Sequence, residues 1–394
     1  MDRVSSYLDS IYNIVWGPWF LLFIIIVALR LSYLLHGIQF RYLRKVFSIL
    51  FGKKNHNSGE GDISPFQSLM TSLAATIGVS NIVGVTFAVT IGGYGSLLWI
   101  WVIAFIGMAV KYSEALLAVK YRHYDKERDE MAGGPMYYIE RALGWKWLAS
   151  FFAFAGILST LGGGNMIQAN SIAGALHSVT GISPIITGVV LAAVTAFVIM
   201  GGIKSIGKTS SFLVPFMGAL YIFSGFAIVV MNYHLVPDVM GRVFLSAFTG
   251  KATFGGIAGY GIMVAMQAGI TRGVVSSEVG MGSSSIAAAA ARTECPSDQA
   301  LISMTGSFFA TVIVSTITVM VLGISGVLES GCSLGGAALV TTAFAKYIPG
   351  GGIIVTAALI FFAYSTIVGW AYYGEKFCYY LFGNASTTIY RIIF

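Results

Sequence analysis

Nine stretches of this chain run for about the thickness of a bilayer's hydrocarbon core with almost no charge in them, at about 15–37, 66–91, 96–120, 147–175, 183–201, 209–232, 255–275, 301–327 and 350–373. A chain patterned this way must fold with the membrane as its solvent, where only helices and closed barrels satisfy every backbone polar group. A barrel needs ten-residue segments of alternating polarity, and none is seen. Composition agrees: 56% of the residues are hydrophobic and 10% charged, against roughly 25% charged in soluble domains. The expected fold class is an all-α polytopic membrane protein, with residues 1–394 forming one membrane domain. Its 48 glycines suit helices that pack backbone to backbone through small residues.

The formal net charge of +7 is read loop by loop, as topology and not as affinity for nucleic acid. With the N-terminus outside, sixteen Lys and Arg fall on cytoplasmic segments, among them Arg41, Lys54, Arg122, Lys204, Arg272 and Lys376. Only four, Arg3, Arg242, Lys251 and Lys346, fall outside. The positive-inside rule therefore sets the N-terminus outside. The loops 41–65 and 121–146 are too small for a catalytic domain, so function lies among the helices. The second loop ends in Gly133-Gly134-Pro135, a turn signal ahead of a short amphipathic helix. Cys295, Cys332 and Cys378 are odd in number and widely spaced, so neither a disulfide framework nor a metal motif is expected. Asp2 and Asp9 stand where a secretory leader carries basic residues, and no cleaved signal peptide is expected.

Polar, glycine-rich backbone at membrane depth is tolerated only where it is buried or lines a cavity. Three places qualify. The second span carries Thr76-Ile77-Gly78-Val79-Ser80-Asn81-Ile82-Val83-Gly84 at mid-depth, where unwinding frees carbonyls for a cation and amides for a carboxylate. The fourth carries Gly162-Gly163-Gly164-Asn165, then Gln168, whose amide both donates and accepts. The seventh carries Gly255, Gly256, Gly259 and Gly261, then Gln267, Gly269 and Gly273, a cluster that close packing explains as well as unwinding does. The second and seventh spans would each open one half of an inverted repeat, the arrangement that sets a site between the halves.

Ser365 and Thr366 are hydroxyls inside the ninth span. They either bond back to the preceding turn or serve as oxygen ligands to a hard cation. Trp370, one turn on, is an interface anchor or a pocket wall. Lys111 and Glu114, near a cytoplasmic end, are expected to pair, and Glu278 to lie just beyond the seventh span. No Asp, Glu or His falls mid-way along the second, fourth, sixth or ninth spans, so coupling to a cation through neutral oxygens is favoured over a proton relay. Intramembrane catalysis lacks the His and Asp it would need at depth, so no enzyme is expected. A channel would need a pore-lining charged stripe or a repeated ring, and neither is present.

From Phe66 onward the chain resembles the alanine or glycine:cation symporter family, the sodium:alanine symporters, which includes D-alanine/glycine permease-like members. The blocks that carry the resemblance are Gly78-Val79-Ser80-Asn81-Ile82-Val83-Gly84-Val85, Gly92-Gly93-Tyr94-Gly95 followed by Trp99-Ile100-Trp101-Val102, and Gly107-Met108-Ala109-Val110-Lys111-Tyr112-Ser113-Glu114. Further along come Gly133-Gly134-Pro135-Met136-Tyr137-Tyr138-Ile139, Arg272-Gly273-Val274-Val275-Ser276-Ser277-Glu278-Val279-Gly280-Met281-Gly282-Ser283, and Gly369-Trp370-Ala371-Tyr372-Tyr373-Gly374-Glu375-Lys376. Their order and spacing together are specific. The resemblance implies a LeuT-like inverted-repeat transporter fold with one extra N-terminal helix, a first repeat at 66–232 and a second at 255–394. It further implies uptake of alanine or glycine, L or D, driven by sodium, by a monomer in a bacterial inner membrane without other cofactor. By motif, the substrate would meet Val79, Ser80, Asn81, Gln168, Thr366 and Trp370, while sodium would meet backbone oxygens of Ala74 and Ile77 and the hydroxyls of Ser365 and Thr366.

Two departures stand out. Gly78-Val79-Ser80-Asn81 replaces the family's usual Gly-Thr-Gly-Asn, which exchanges a hydroxyl at 79 for a side chain at 80. Family members also continue for two helices past the segment at 387–394, which implies an incomplete second repeat and, as the alternative function, a truncated relative that does not transport.

Overall fold

The computed structural model describes residues 15–42, 59–249, 258–330 and 335–394, with 11, 45, 46, 48 and 49 in addition. Asp2, Asp9, Arg3, Arg44, Lys53, Lys54, Lys251, Gly255, Gly256 and Cys332 lie outside the described residues. Helix α1, Pro18–Leu34, starts on a proline whose missing N–H is an orphan at that position anyway. Helix α2, Pro65–Thr76, opens with a capping box: Gln67 N–H donates to Ser64 Oγ at 3.2 Å and Ser64 N–H to Gln67 Oε1 at 3.0 Å.

α2 stops at Thr76. Thr76 Oγ1 donates back to Ser72 O at 2.7 Å, an arrangement that bends helices. After Ile77 and Gly78 a π turn, Ser80–Gly84, runs into α3, Val85–Gly92, inclined 56° to α2. The expected break of the second span is therefore present. Helix α4, Ser96–Lys120, runs through the interior, and a small antiparallel hairpin follows, β1 at His123–Asp125 and β2 at Glu130–Ala132, a departure from all-α. The amphipathic segment is helix α5, Pro135–Leu143. Helices α6, Lys146–Ser159, and α7, Ile167–Thr180, join through a π turn at Thr160–Met166 over the triple glycine.

Then come α8, Pro184–Met200, α9, Gly202–Met231, α10, Val236–Thr249, α11, Ala258–Ser277, and the short α12, Ser284–Ala289. α13, Pro296–Ser307, and α14, Val314–Ser325, are joined by a π turn, and α15, Gly336–Ala345, α16, Gly351–Phe382, and α17, Ala385–Ile393, complete the order. Among the described residues, five helical stretches are long and apolar enough to cross a bilayer, and the bent pair α2–α3 makes a sixth. The other three expected spans correspond to α1 and α8, each 17 residues, and α11, 20 residues and more polar.

Burial sorts the bundle into inner and outer helices. The apolar window of α13–α14 is 67% buried and that of α4 61%, while α6–α7 is 22% and α9 28% buried. The outer helices present Phe197, Phe212 and Phe223 outward, which suits a surface bathed in lipid and not in water. At one end the hairpin is bolted to α16 by ion pairs: Lys376 Nζ to Glu130 at 2.8 Å, and Arg128 to Glu375, which also takes Arg391 of α17 at 2.8 Å. Asp62, just before α2, accepts the Met131 amide, and burial raises its carboxyl above the ordinary range.

Candidate functional site

The site is built where α16 crosses the break in α2. Gly369 lets the two backbones meet: a Cβ there would stand 2.7 Å from Ala75 N and 2.8 Å from its Cα. The contact lays Trp370 Nε1–H on Ala75 O at 3.2 Å. One turn earlier, Ser365 Oγ and Thr366 Oγ1 each lie within reach of Ala74 O, at 3.3 and 3.2 Å, and of Phe362 O, at 2.9 and 3.0 Å. The hydroxyls thus bond back to their own turn and also face the Ala74 carbonyl of the other helix. Two carbonyls and two hydroxyls converge, all neutral, and Ile77 beside the break ends α2 with its own carbonyl freed from the helix. Such a cluster of oxygens suits a hard monovalent cation. Phe362 was missed by sequence reasoning, because a backbone carbonyl leaves no mark in residue type.

Beside this cluster opens a cavity of about 350 Å³, lined by Gly78, Val79, Ser80, Gln168, Thr366 and Trp370 among others. Five of the six expected substrate contacts therefore come together, and Thr366 belongs to both the cavity and the oxygen cluster. Gly78 has to be glycine, for a Cβ there would stand 2.6 Å from Thr366 Oγ1. Gln168 donates to Gly163 O at 3.1 Å, and its Oε1 is buried with no hydrogen-bond partner among the described residues. Trp370 is a wall of the cavity, seated against Gly164, whose added Cβ would lie 2.5 Å from the Trp370 Cβ.

Asn81 is placed differently. Fully buried, it donates to Ser276 O at 3.2 Å and Ala310 O at 2.9 Å, and its Oδ1 accepts from Ser80 Oγ at 3.2 Å. It ties the break to α11 and to the π turn after α13, and it does not line the cavity. A hollow of about 530 Å³ beside Asn165 and Thr195 touches neither the α2–α3 break nor the end of α11, so the smaller cavity is the better site.

The far wall comes from α11, and here three expectations change. Of the glycine cluster, Gly259, Gly261, Gly269 and Gly273 lie inside continuous helix α11, and the described chain leaves the helix at Glu278–Ser283, between α11 and α12. Glu278 follows the last residue of α11, as expected, and at 2% exposure it lines the cavity. Arg272, counted as cytoplasmic from its sequence position, lies within α11 and also lines the cavity. Lys111 does not make a salt bridge with Glu114 among the described residues; buried to 2% exposure, its Nζ donates to Ser277 O at 2.7 Å, where the helix ends. Local polarity alone could not place these charges, because a strand of polar residues after a helix reads as a loop whether it is buried or exposed.

The sequence profile of the sodium:alanine symporter family matches residues 1–394. The chain belongs to the sodium:alanine symporter family. It is 48% identical over 400 residues to the sodium/alanine symporter AgcS of Methanococcus maripaludis, covering 100% of this chain and 87% of that one. The amino-acid carrier protein AlsT of Bacillus subtilis is 36% identical over 94% of this chain and 78% of its own. Among solved structures, MhsT in complex with L-phenylalanine superposes with a TM-score of 0.60 at 15% identity, over 85% of this chain and 78% of that one. That likeness establishes a LeuT-like helical fold. A member of this family is a membrane transporter that moves an amino acid together with a cation, and it is not an enzyme.

Proposed function

We propose that this symporter takes up alanine or glycine with sodium, and that the site is the cavity between the α2–α3 break and α16. The observation that carries the reading is Thr366: its hydroxyl belongs to the neutral oxygen cluster with Ala74 and Phe362, and its side chain walls the cavity. Sodium held by Ala74, Ile77, Phe362, Ser365 and Thr366 therefore fastens α16 to the broken helix and completes the substrate pocket. Coupling follows, because a ligand that stabilises one arrangement of two elements raises the affinity of the other ligand for it by the same factor.

The substrate's carboxylate lies near Val79 and Ser80, at the N-terminal end of the outer half-helix formed by the π turn and α3, where the positive end of the helix dipole favours an anion. Its amine faces the unpartnered Gln168 Oε1. Trp370, Met281, Val275 and Ile167 close the pocket around a small side chain of either hand. Asn81 acts as a strut behind the break. We read the two interrupted helices, α2–α3 and α11–α12, as the openings of two inverted repeats around the site, in a monomer set in a plasma membrane with its N-terminus outside.

Uptake of labelled alanine and glycine into vesicles carrying the protein tests the reading, with sodium outside and then with potassium in its place. Accumulation that needs sodium supports it. Equal accumulation with potassium, or none of either amino acid, refutes it.

A further inference from the structure

Two charged side chains, Arg272 of α11 and Glu278 just after it, line the cavity without an ion pair among the described residues. Among the described residues Glu278 makes one hydrogen bond, accepted from Ser283 Oγ at 2.8 Å, and no ion pair. Lys111 interacts with it electrostatically but spends its ammonium on Ser277 O at 2.7 Å, and shares its field with Glu114. Arg272 makes no hydrogen bond or ion pair among the described residues, and its Nη1 lies 3.7 Å from the point where a Cβ on Gly84 would stand, a point only 3.6 Å from Ser80 Cβ. The guanidinium is therefore beside the N-terminal turn of the outer half-helix.

Isolated charges at membrane depth are expensive, and they are retained where a ligand meets them. The backbone supports the same view. Glu278 is held at φ +54°, a left-handed conformation that glycine would adopt freely and that strains other residues, and its neighbours Gly280 and Gly282 share that region at +77° and +72°. A carboxylate at that position is kept despite its backbone. Gln168 Oε1, an acceptor like Glu278, is buried on the cavity wall without a hydrogen-bond partner among the described residues.

We infer, on the amino-acid symport reading above, that α11 and the interruption after it recognise both charges of the zwitterion: Glu278 with Gln168 takes the ammonium, and Arg272 shares the carboxylate with the amides at the N-terminal end of the π turn and α3. The cation cluster at Ala74 and Thr366 is separate and made of neutral oxygens, so Glu278 is left for the substrate.

The test is equilibrium binding of labelled alanine to the purified protein in sodium, competed by propionate, which keeps only the carboxylate, and by ethylamine, which keeps only the ammonium. Glu278→Gln should weaken alanine about 10- to 100-fold, the size of a lost charge-assisted hydrogen bond, while propionate is weakened far less. Arg272→Gln should show the reverse, with ethylamine spared. The sodium concentration for half-maximal binding at saturating alanine should stay unchanged in both. Misfolding weakens all three ligands together, so the opposite discrimination of the two variants separates recognition from damage, and Glu278→Asp should recover part of the alanine affinity. Equal loss of both analogues, or a change in sodium dependence alone in Glu278→Gln, overturns the assignment. Alanine bound by the wild type with unaltered discrimination in both variants overturns it while leaving the transport reading in place; no saturable binding of alanine or glycine to the wild type removes both.

Discussion

Gly369→Ala adds one methyl group at the α2–α16 crossing and touches no proposed ligand atom. The new Cβ would stand 2.7 Å from Ala75 N and 2.8 Å from Ala75 Cα and Cβ, all too close. Restoring ordinary contact requires the helices to part by about 0.7 Å. Ser365 and Thr366 reach Ala74 O at 3.3 and 3.2 Å, and Trp370 reaches Ala75 O at 3.2 Å, so a shift of that size carries all three beyond hydrogen-bond range. Overpacking at about 1–3 kcal/mol, together with three lost hydrogen bonds at about 1 kcal/mol each, puts the loss of stability at about 4–6 kcal/mol.

The oxygen cluster also splits, with Ala74 on one helix and Phe362, Ser365 and Thr366 on the other. The sodium concentration for half-maximal alanine uptake should then rise at least about tenfold, equivalent to about 1.4 kcal/mol. The assay is initial uptake rate against sodium in vesicles, with Gly218→Ala as the control, since a Cβ at Gly218 meets nothing within 4 Å. If Gly369→Ala transports with unaltered sodium dependence while Gly218→Ala does the same, the cluster is not where sodium binds, and the coupling argument built on Thr366 fails.

Thr366→Val keeps the shape and removes one cluster oxygen, so it should raise the sodium requirement several-fold while Thr366→Ser retains it; uptake as a function of sodium decides. Gln168→Ala should raise the KM for alanine about tenfold with the melting temperature unchanged, and an unchanged KM removes Gln168 from the site. Asn81→Ala leaves the Ser276 and Ala310 carbonyls without their donor, so it should cost about 2–4 kcal/mol of stability and lower the melting temperature. Full thermal stability with lost alanine binding would instead make Asn81 a substrate ligand.

The apolar runs, the interruption at Ile77–Gly78 and the hydroxyl pair at Ser365–Thr366 were legible in the order of residues, because each is a local property. Hydropathy over about twenty residues reports solvent, and glycine with small polar residues at membrane depth reports backbone that leaves the helix. Family blocks added the pocket's membership by position. What only the packing decided is which atoms meet across the chain. Ala74 O lies 292 residues from Thr366 in sequence, and a carbonyl of any residue would look the same there. Asn81 has the composition of a ligand, yet its amide turns to Ser276 and Ala310 because α11 and the α13 turn supply carbonyls behind the break. Arg272, Glu278 and Lys111 read from sequence as loop or helix-end charges, and folding carries all three inward, two of them onto the cavity wall. Hydropathy records how much polarity a segment carries, while the direction each polar group faces depends on neighbours hundreds of residues away, and that direction separates a strut from a site.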